Sequence, residues 1–217
     1  MLLSHRYNFL FVHIAKTGGT SARSALACKA RWDRYRPAMW LCSKLSHATG
    51  HKIGSKFPRH SKIIAAKEML PHDFFDGLFK FAFVRNPWDL QVSSFHHIRR
   101  ERPQFLFGHD DFNSFMKFKF DPDRPYQYHI DTSIELQSDY LVDLRGNIMT
   151  NFIGRYENLH EDFSHACSQI NIRCSLPEKR ISKDRKKDFR SYYDDETTEL
   201  VAQHFEQDIK RLNYSFE

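Results

Sequence analysis

The sequence predicts an α/β fold: a central, mainly parallel sheet flanked by helices, with one small antiparallel hairpin. The apolar runs Tyr7 to Ile14 (YNFLFVHI), Phe79 to Val84 (FKFAFV) and Phe152 to Arg155 have the length and aromatic, branched composition of buried strands. Each is followed within a few residues by a stretch of helix-forming composition. Strands alternating with helices in this way build a parallel sheet with crossover helices. A length of 217 residues, with no internal repeat, low-complexity tract or Gly/Ser linker, suits a single domain spanning 1–217.

The elements follow in order. Met1-Leu2-Leu3 leads into the first strand; His5, Arg6 and Asn8 interrupt it before any signal-peptide core can form. Thr20 to Lys29 is helical, with Thr20 or Ser21 as the candidate N-cap. After the Phe79–Val84 strand, Arg85-Asn86-Pro87 is a turn, and Trp88 to Arg100 an amphipathic helix with proline near its first turn. Phe112 to Phe118 forms a short helix. Tyr140 to Asp143 and Ile148 to Thr150 flank Leu144-Arg145-Gly146-Asn147 as a hairpin. A helix from about Asn158 to Ile170 follows the third strand, and Asp194 to Leu212 is the closing helix.

Composition narrows the class. Hydrophobic residues at 41% and charged residues at 28% describe an ordinary globular chain, and no run reaches the roughly 18 apolar residues of a membrane-spanning helix. The cysteines Cys28, Cys42, Cys167 and Cys174 are too few and too unevenly spaced for a disulfide scaffold, and none form a zinc-type Cys-x-x-Cys pair, so a reducing compartment is expected. Lysine and arginine exceed aspartate and glutamate by 33 to 27, a formal charge of +6. The excess favours an anionic partner: nucleic acid, a phosphorylated cofactor, an acidic glycan or a membrane surface. It is concentrated in Lys179-Arg180, Lys183, Arg185-Lys186-Lys187 and Arg190, just ahead of Asp194-Asp195-Glu196. Such a run also fits a solvated loop before a helix.

Two segments carry chemistry. Ala15-Lys16-Thr17-Gly18-Gly19-Thr20-Ser21 lies between the first strand and its helix. Glycines there let successive N–H groups converge, the helix N-terminus adds positive potential, and Lys16 adds a full charge beside hydroxyls, which together suit a terminal phosphate or a similar group. A Walker A loop has its lysine after the second glycine; here the lysine precedes the glycine pair, the wrong order for an ordinary nucleoside triphosphatase. The second segment, Arg85-Asn86-Pro87-Trp88-Asp89-Leu90-Gln91-Val92-Ser93, ends the second strand. A helix starting near Pro87 can return Ser93 towards Arg85, and an arginine fork with a hydroxyl suits a second phosphate. Taken alone, the same residues fit an arginine capping a turn and a serine on a helix flank.

Together these segments resemble the sulfotransferases, which transfer sulfuryl groups from 3′-phosphoadenosine-5′-phosphosulfate (PAPS). HIAKTGGTS at 13–21 is similar to the family's Pro-Lys-Thr-Gly-Gly-Thr-Ser loop, and FAFVRNPWDLQVSSFHH at 81–97 to its Arg-x-Pro-x-Asp-x-x-x-Ser block. QSDYLVD (137–143), FIGRYENLHEDF (152–163), RSYYDDETTELVA (190–202) and QDIKRLNY (207–214) resemble later blocks of the branch holding bacterial and carbohydrate sulfotransferases, so the resemblance spans most of the chain. Ala15 stands where the family usually has proline, and Leu90 where an arginine is frequent.

The resemblance implies a P-loop-like sulfotransferase fold and a PAPS-dependent enzyme. Lys16, Thr17, Gly18, Gly19, Thr20 and Ser21 would grip the 5′-phosphosulfate; Arg85 and Ser93 would bind the 3′-phosphate; Arg185, Lys186 and Arg190 would fold over it. In-line attack by an acceptor hydroxyl builds charge on the leaving oxygen, which Lys16 would stabilise without a metal. The hydroxyl needs a base, for which histidine is suited near neutral pH. His47, His51 and His60 lie between the motifs, and the resemblance favours His60; Glu68 is the carboxylate alternative and reads equally as a solvated helix residue. His96, His97 and His109 do not have metal-ligand spacing, because neighbours on a helix diverge by about 100°. Phe105 to Tyr128 reads as core plus a lid over the acceptor site. The expected acceptor is a carbohydrate hydroxyl rather than nucleic acid, and the expected location a bacterial cytoplasm or, for a trimmed domain, a lumen. The competing readings are a phosphotransferase using the same loop and a non-catalytic polyanion binder.

Overall fold

The computed structural model describes residues 1–30, 41, 57–177, 185–186 and 188–217. In chain order the regular elements are β1 (Leu2–Ser4), β2 (Phe9–Val12), α1 (Gly19–Lys29), α2 (Ile63–Met69), α3 (His72–Asp76), β3 (Phe79–Val84), α4 (Pro87–Glu101), α5 (Phe112–Phe120), α6 (Tyr128–Asp131), β4 (Phe152–Arg155), α7 (Leu159–Gln169), α8 (Asp195–His204) and α9 (Glu206–Leu212). They fall into two compact units: Met1–Ile14, Gly18–Val84 and Tyr140–Glu178 in the first, and Ala15–Thr17, Arg85–Asp139 and Lys179–Glu217 in the second.

The first unit is built on a sheet of order β1-β2-β3-β4. β2 pairs parallel with β3, and β3 with β4, the alternation the sequence predicts. β2 is buried along its whole length and β3 at all but its first position, which is why both read as continuous apolar runs rather than alternating ones. Phe9, Phe11, Phe81 and Phe83 pack with Ala22 and Leu26 of α1 and with Phe163, Ala166 and Cys167 of α7. Val12, the last residue of β2, lies opposite Ala82, so β3 runs two residues further before it ends at Val84, and parallel sheets place their sites at such carboxyl ends.

Met1–Leu3 is more than a lead: Leu2–Ser4 forms a strand of its own, antiparallel to β2, with Leu3 opposite Leu10. The hairpin reduces to one bridge between Val142 and Ile148. Its turn forms as expected, with the Asp143 carboxylate accepting from Arg145 N and Asn147 N at 2.9 Å each. The second flank then diverges because Asn151 is taken up by β3, its N–H donating to Lys80 O and its Oδ1 accepting from Lys80 N.

The second unit is helical. Asn86 caps α4, its Oδ1 accepting from Trp88 N at 3.1 Å, with Pro87 at the first position. Val92, Phe95 and Ile98 of α4 pack against Leu106 and against Phe112, Phe115 and Met116 of α5, so much of the 105–128 interval is core. Phe107, Tyr126 and Tyr128 remain at least half exposed. The closing helix is broken where the sequence predicts continuity: α8 ends and α9 begins at Phe205 (φ −100°, ψ 19°). Phe205 is fully buried with Trp88 and Val201. The change of direction also lets Asp208 of α9 accept from Gln137 N at 2.6 Å and Ser138 N at 2.9 Å.

Candidate active site

The chain leaves β2 through His13 and Ile14 and enters α1 through Lys16–Gly18. Lys16 has φ +65° and Gly18 φ +76°. Left-handed backbone costs a lysine about 1 kcal/mol, a cost that glycine avoids, and such conformations concentrate where a backbone is shaped around a ligand. Gly18, rather than Thr20 or Ser21, is the N-cap of α1. The sequence pointed to a hydroxyl cap; the left-handed glycine replaces it, and no side chain caps the helix. Gly18 also sits where a Cβ would stand 2.5 Å from Leu159 Cδ2, so the position is closed to larger residues on two grounds. Thr17 and Ser21 are buried, Gly19 is buried, and Thr20 is exposed.

In the first unit, His13 is 2% exposed and its ring lies over Gly19: a Cβ at Gly19 would stand 2.5 Å from His13 Nε2. His60 is beside it, ring centroids 4.7 Å apart, with Nδ1 3.0 Å from the His13 carbonyl oxygen. That oxygen can only accept, so Nδ1 carries the proton and Nε2 keeps its lone pair. Burial, first, and the charges of the Met1 amino group, Arg59 and Arg23 hold the His60 imidazole below its ordinary pKa, against a raising effect from the hydrogen bond to His13. Burial pushes His13 down to about 2. Glu68 is exposed on α2, and His47 and His51 lie outside the described residues.

In the second unit, Lys16 is brought to Arg85, whose Nη1 donates to Lys16 O at 2.9 Å. Burial, and next the positive charges of Arg85, Arg100 and Arg185, lower the Lys16 ammonium to about 7. Gathering cations this way is unfavourable unless an anion joins them. Arg85 is held at its side chain and its backbone: Nε donates to Asp89 Oδ2 at 2.7 Å, while Gln137 Oε1 accepts from its backbone N–H and Gln137 Nε2 donates to its backbone oxygen. Asp89 also receives Arg185, joining one predicted member of the basic run to the Arg85 group. The other two have different partners. Lys186 lies over the Tyr192 ring at 5.6 Å, and Arg190 donates to Phe216 O at 2.8 Å and pairs with Asp188. Ser93 follows Asp89 by one turn of α4 and is half-buried. Lys179, Arg180, Lys183 and Lys187 lie outside the described residues.

His97, one further turn along α4, is held down to about 4 by burial and then by the Lys16 charge. His96 instead meets Tyr192 Oη at 2.8 Å, and His109 meets Ser114 Oγ at 2.6 Å. Among the described residues no group of three His, Cys, Asp or Glu side chains is arranged to hold a metal ion, and no helix is long and apolar enough to cross a membrane. Reading the sequence missed three contributors: His13, Asp89 and His97. His13 and Asp89 stand inside the two motifs, and the four-residue interval Asp89, Ser93, His97 was available as a helical stripe.

Within the second unit the fit to an anionic donor rests on the donor set: the Lys16 ammonium, Arg85 bonded to the Lys16 backbone oxygen, a second arginine on Asp89, and the buried Thr17 hydroxyl. A model of the sulfotransferase family matches residues 1–215. No curated protein matches the chain.

Proposed function

Because the chain belongs to the sulfotransferase family, we propose that it transfers the sulfuryl group of PAPS to a hydroxyl on a carbohydrate. The observation carrying this reading is the charge gathered at Lys16: a left-handed, partly buried lysine, lowered to about 7, whose carbonyl is tied to Arg85. PAPS supplies an activated sulfuryl group on a phosphate leaving group. Lys16 and the N–H groups opening α1 neutralise the charge that develops on the leaving oxygen; being placed in advance, they need no reorganisation. Arg85, oriented by Asp89 and Gln137, and Ser93 take the 3′-phosphate, with Arg185 beside them. His60 accepts the proton of the attacking hydroxyl at Nε2, the nitrogen its hydrogen bond to His13 leaves unprotonated.

The exposed rings support a sugar acceptor. Phe105 stacks on His129 at 5.8 Å, and Phe107, Tyr126 and Tyr128, near that pair in sequence, are each at least half exposed. Flat apolar faces suit the C–H surface of a pyranose.

A thermal-shift titration tests the reading. 3′-Phosphoadenosine-5′-phosphate should raise the melting temperature strongly at micromolar concentration, since a ligand that binds only the native state stabilises it by mass action. A response to ATP with magnesium instead would favour a phosphotransferase, and a response to neither would leave a polyanion binder.

A further inference from the structure

We propose that His13 is a positioning residue that fixes the tautomer and orientation of the His60 imidazole and keys it to the anion loop through Gly19. The proposal rests on the reading of His60 as the base.

His13 acts on His60 twice. Its carbonyl oxygen, 3.0 Å from His60 Nδ1, selects the tautomer, and its ring, 4.7 Å away at 53°, limits the swing of the neighbouring ring. It is itself clamped. Phe11 stacks on one side at 5.9 Å and 19°, and Gly19 meets its Cδ2–Nε2 edge where any Cβ would collide. Its ring meets these neighbours through its faces and its Cδ2–Nε2 edge, and its Nδ1 is buried with no hydrogen-bond partner among the described residues. The charged side chains that act on the pair are Arg59 and, from α1, Arg23, while the Met1 amino group beside them is itself lowered to about 5 by burial and by the same two arginines. They discourage protonation of either imidazole, so Nε2 of His60 stays available as an acceptor below neutral pH. A hydroxyl must meet that nitrogen within hydrogen-bond reach, and a displacement of about 1 Å at a reacting group can cost roughly a hundredfold in rate.

The test combines kinetics with nitrogen-15 spectra of the histidine side chains, using the full chain as wild type, His13→Leu, His13→Phe and His60→Ala. Leucine fills the apolar space with no flat ring; phenylalanine restores the ring. In the wild type the His60 signals should report the Nδ1–H tautomer. In His13→Leu the backbone carbonyl remains and the Nδ1–H tautomer should persist, while the His60 signals should broaden as the ring gains freedom to swing, and the apparent pKa of His60 should rise towards about 6.5 as water reaches it. kcat should fall about ten- to a hundredfold with the donor KM little changed, and the acid limb of the rate profile should move to higher pH. His13→Phe should recover most of the loss and the original limb. Unchanged His60 signals in a folded His13→Leu, or a His13→Phe as defective as His13→Leu, would overturn the proposal. Full activity in His60→Ala would remove His60 as the base, while the spectra would still decide whether His13 orients it.

Discussion

Lys16 is where residue-level physics bears most directly on function. Its ammonium is lowered to about 7 by burial and by Arg85, Arg100 and Arg185, so at pH 8 the free protein holds it largely neutral. A bound dianion reverses the balance, and binding should take up close to one proton at that pH. Calorimetry of 3′-phosphoadenosine-5′-phosphate binding in two buffers of different ionisation heat measures the number directly; zero uptake would place the anion away from Lys16. Lys16→Ala should lower kcat by about 10² to 10³, the worth of a pre-placed group at a developing charge, with the fold retained. Arg85→Ala should weaken the same ligand by about 2 to 4 kcal/mol and Ser93→Ala by about 1 kcal/mol. Adenosine-5′-phosphosulfate, which lacks the 3′-phosphate, is the control. Equal losses for both ligands would show that Arg85 acts elsewhere, which the bond from its Nη1 to Lys16 O makes a real alternative.

Elements were legible where one local signal dominated. β3 (Phe79–Val84) and β4 (Phe152–Arg155) have the predicted bounds, because apolar runs bounded by turn residues leave little freedom. α4 starts at Pro87 because Asn86 and Pro87 supply both cap and first turn. The misses came from contacts that no local window contains: Phe205 breaks the closing helix because its ring is buried with Trp88, more than a hundred residues away, and Asn151 leaves the hairpin to pair with Lys80. The Gly18 cap was misread for another reason. A hydroxyl at Thr20 or Ser21 is the commoner cap, and only the left-handed turn reveals that glycine holds the place. In the site, Lys16 and Arg85 were legible from their motifs, whereas the approach of His13 to Gly19 depends on a close packing that spacing cannot encode. That contact makes Gly19 a tightly constrained position in α1. Gly19→Ala must push the buried His13 ring aside, and overpacking of this kind should cost about 1 to 3 kcal/mol. Denaturant unfolding should show it as a lowered midpoint at constant slope; an unchanged midpoint would mean that the ring moves freely.

At the scale of the whole molecule, the formal charge of +6 and the thirteen histidines make pH a strong variable, and the buried histidines set its sign. Burial lowers His13 to about 2 and His97 to about 4, and it also lowers His60. In the unfolded chain each returns to about 6.5. Below that pH the unfolded state binds protons that the native state refuses, so stability is full above about 6.5 and is lost progressively as pH falls towards the native values. For His13 alone the slope is about 1.4 kcal/mol per pH unit. Among the carboxylates, Asp131, Asp143, Asp194 and Glu206 are held low by their partners and lose stabilisation further into acid, while Asp208, raised by burial, runs the opposite way. The lowered Lys16 and Lys119 extend the same trend upward, since an unfolded lysine stays protonated to about 10.4 and stability is still rising with pH through the neutral range. The protein should therefore melt at a lower temperature at pH 5 than at pH 7, and at pH 7 no higher than at pH 8. His13→Phe should remove part of the dependence between pH 7 and 5. A melting temperature flat across that interval, or one that rises towards acid, would contradict the burial of neutral histidines on which both the stability argument and the role of His60 depend.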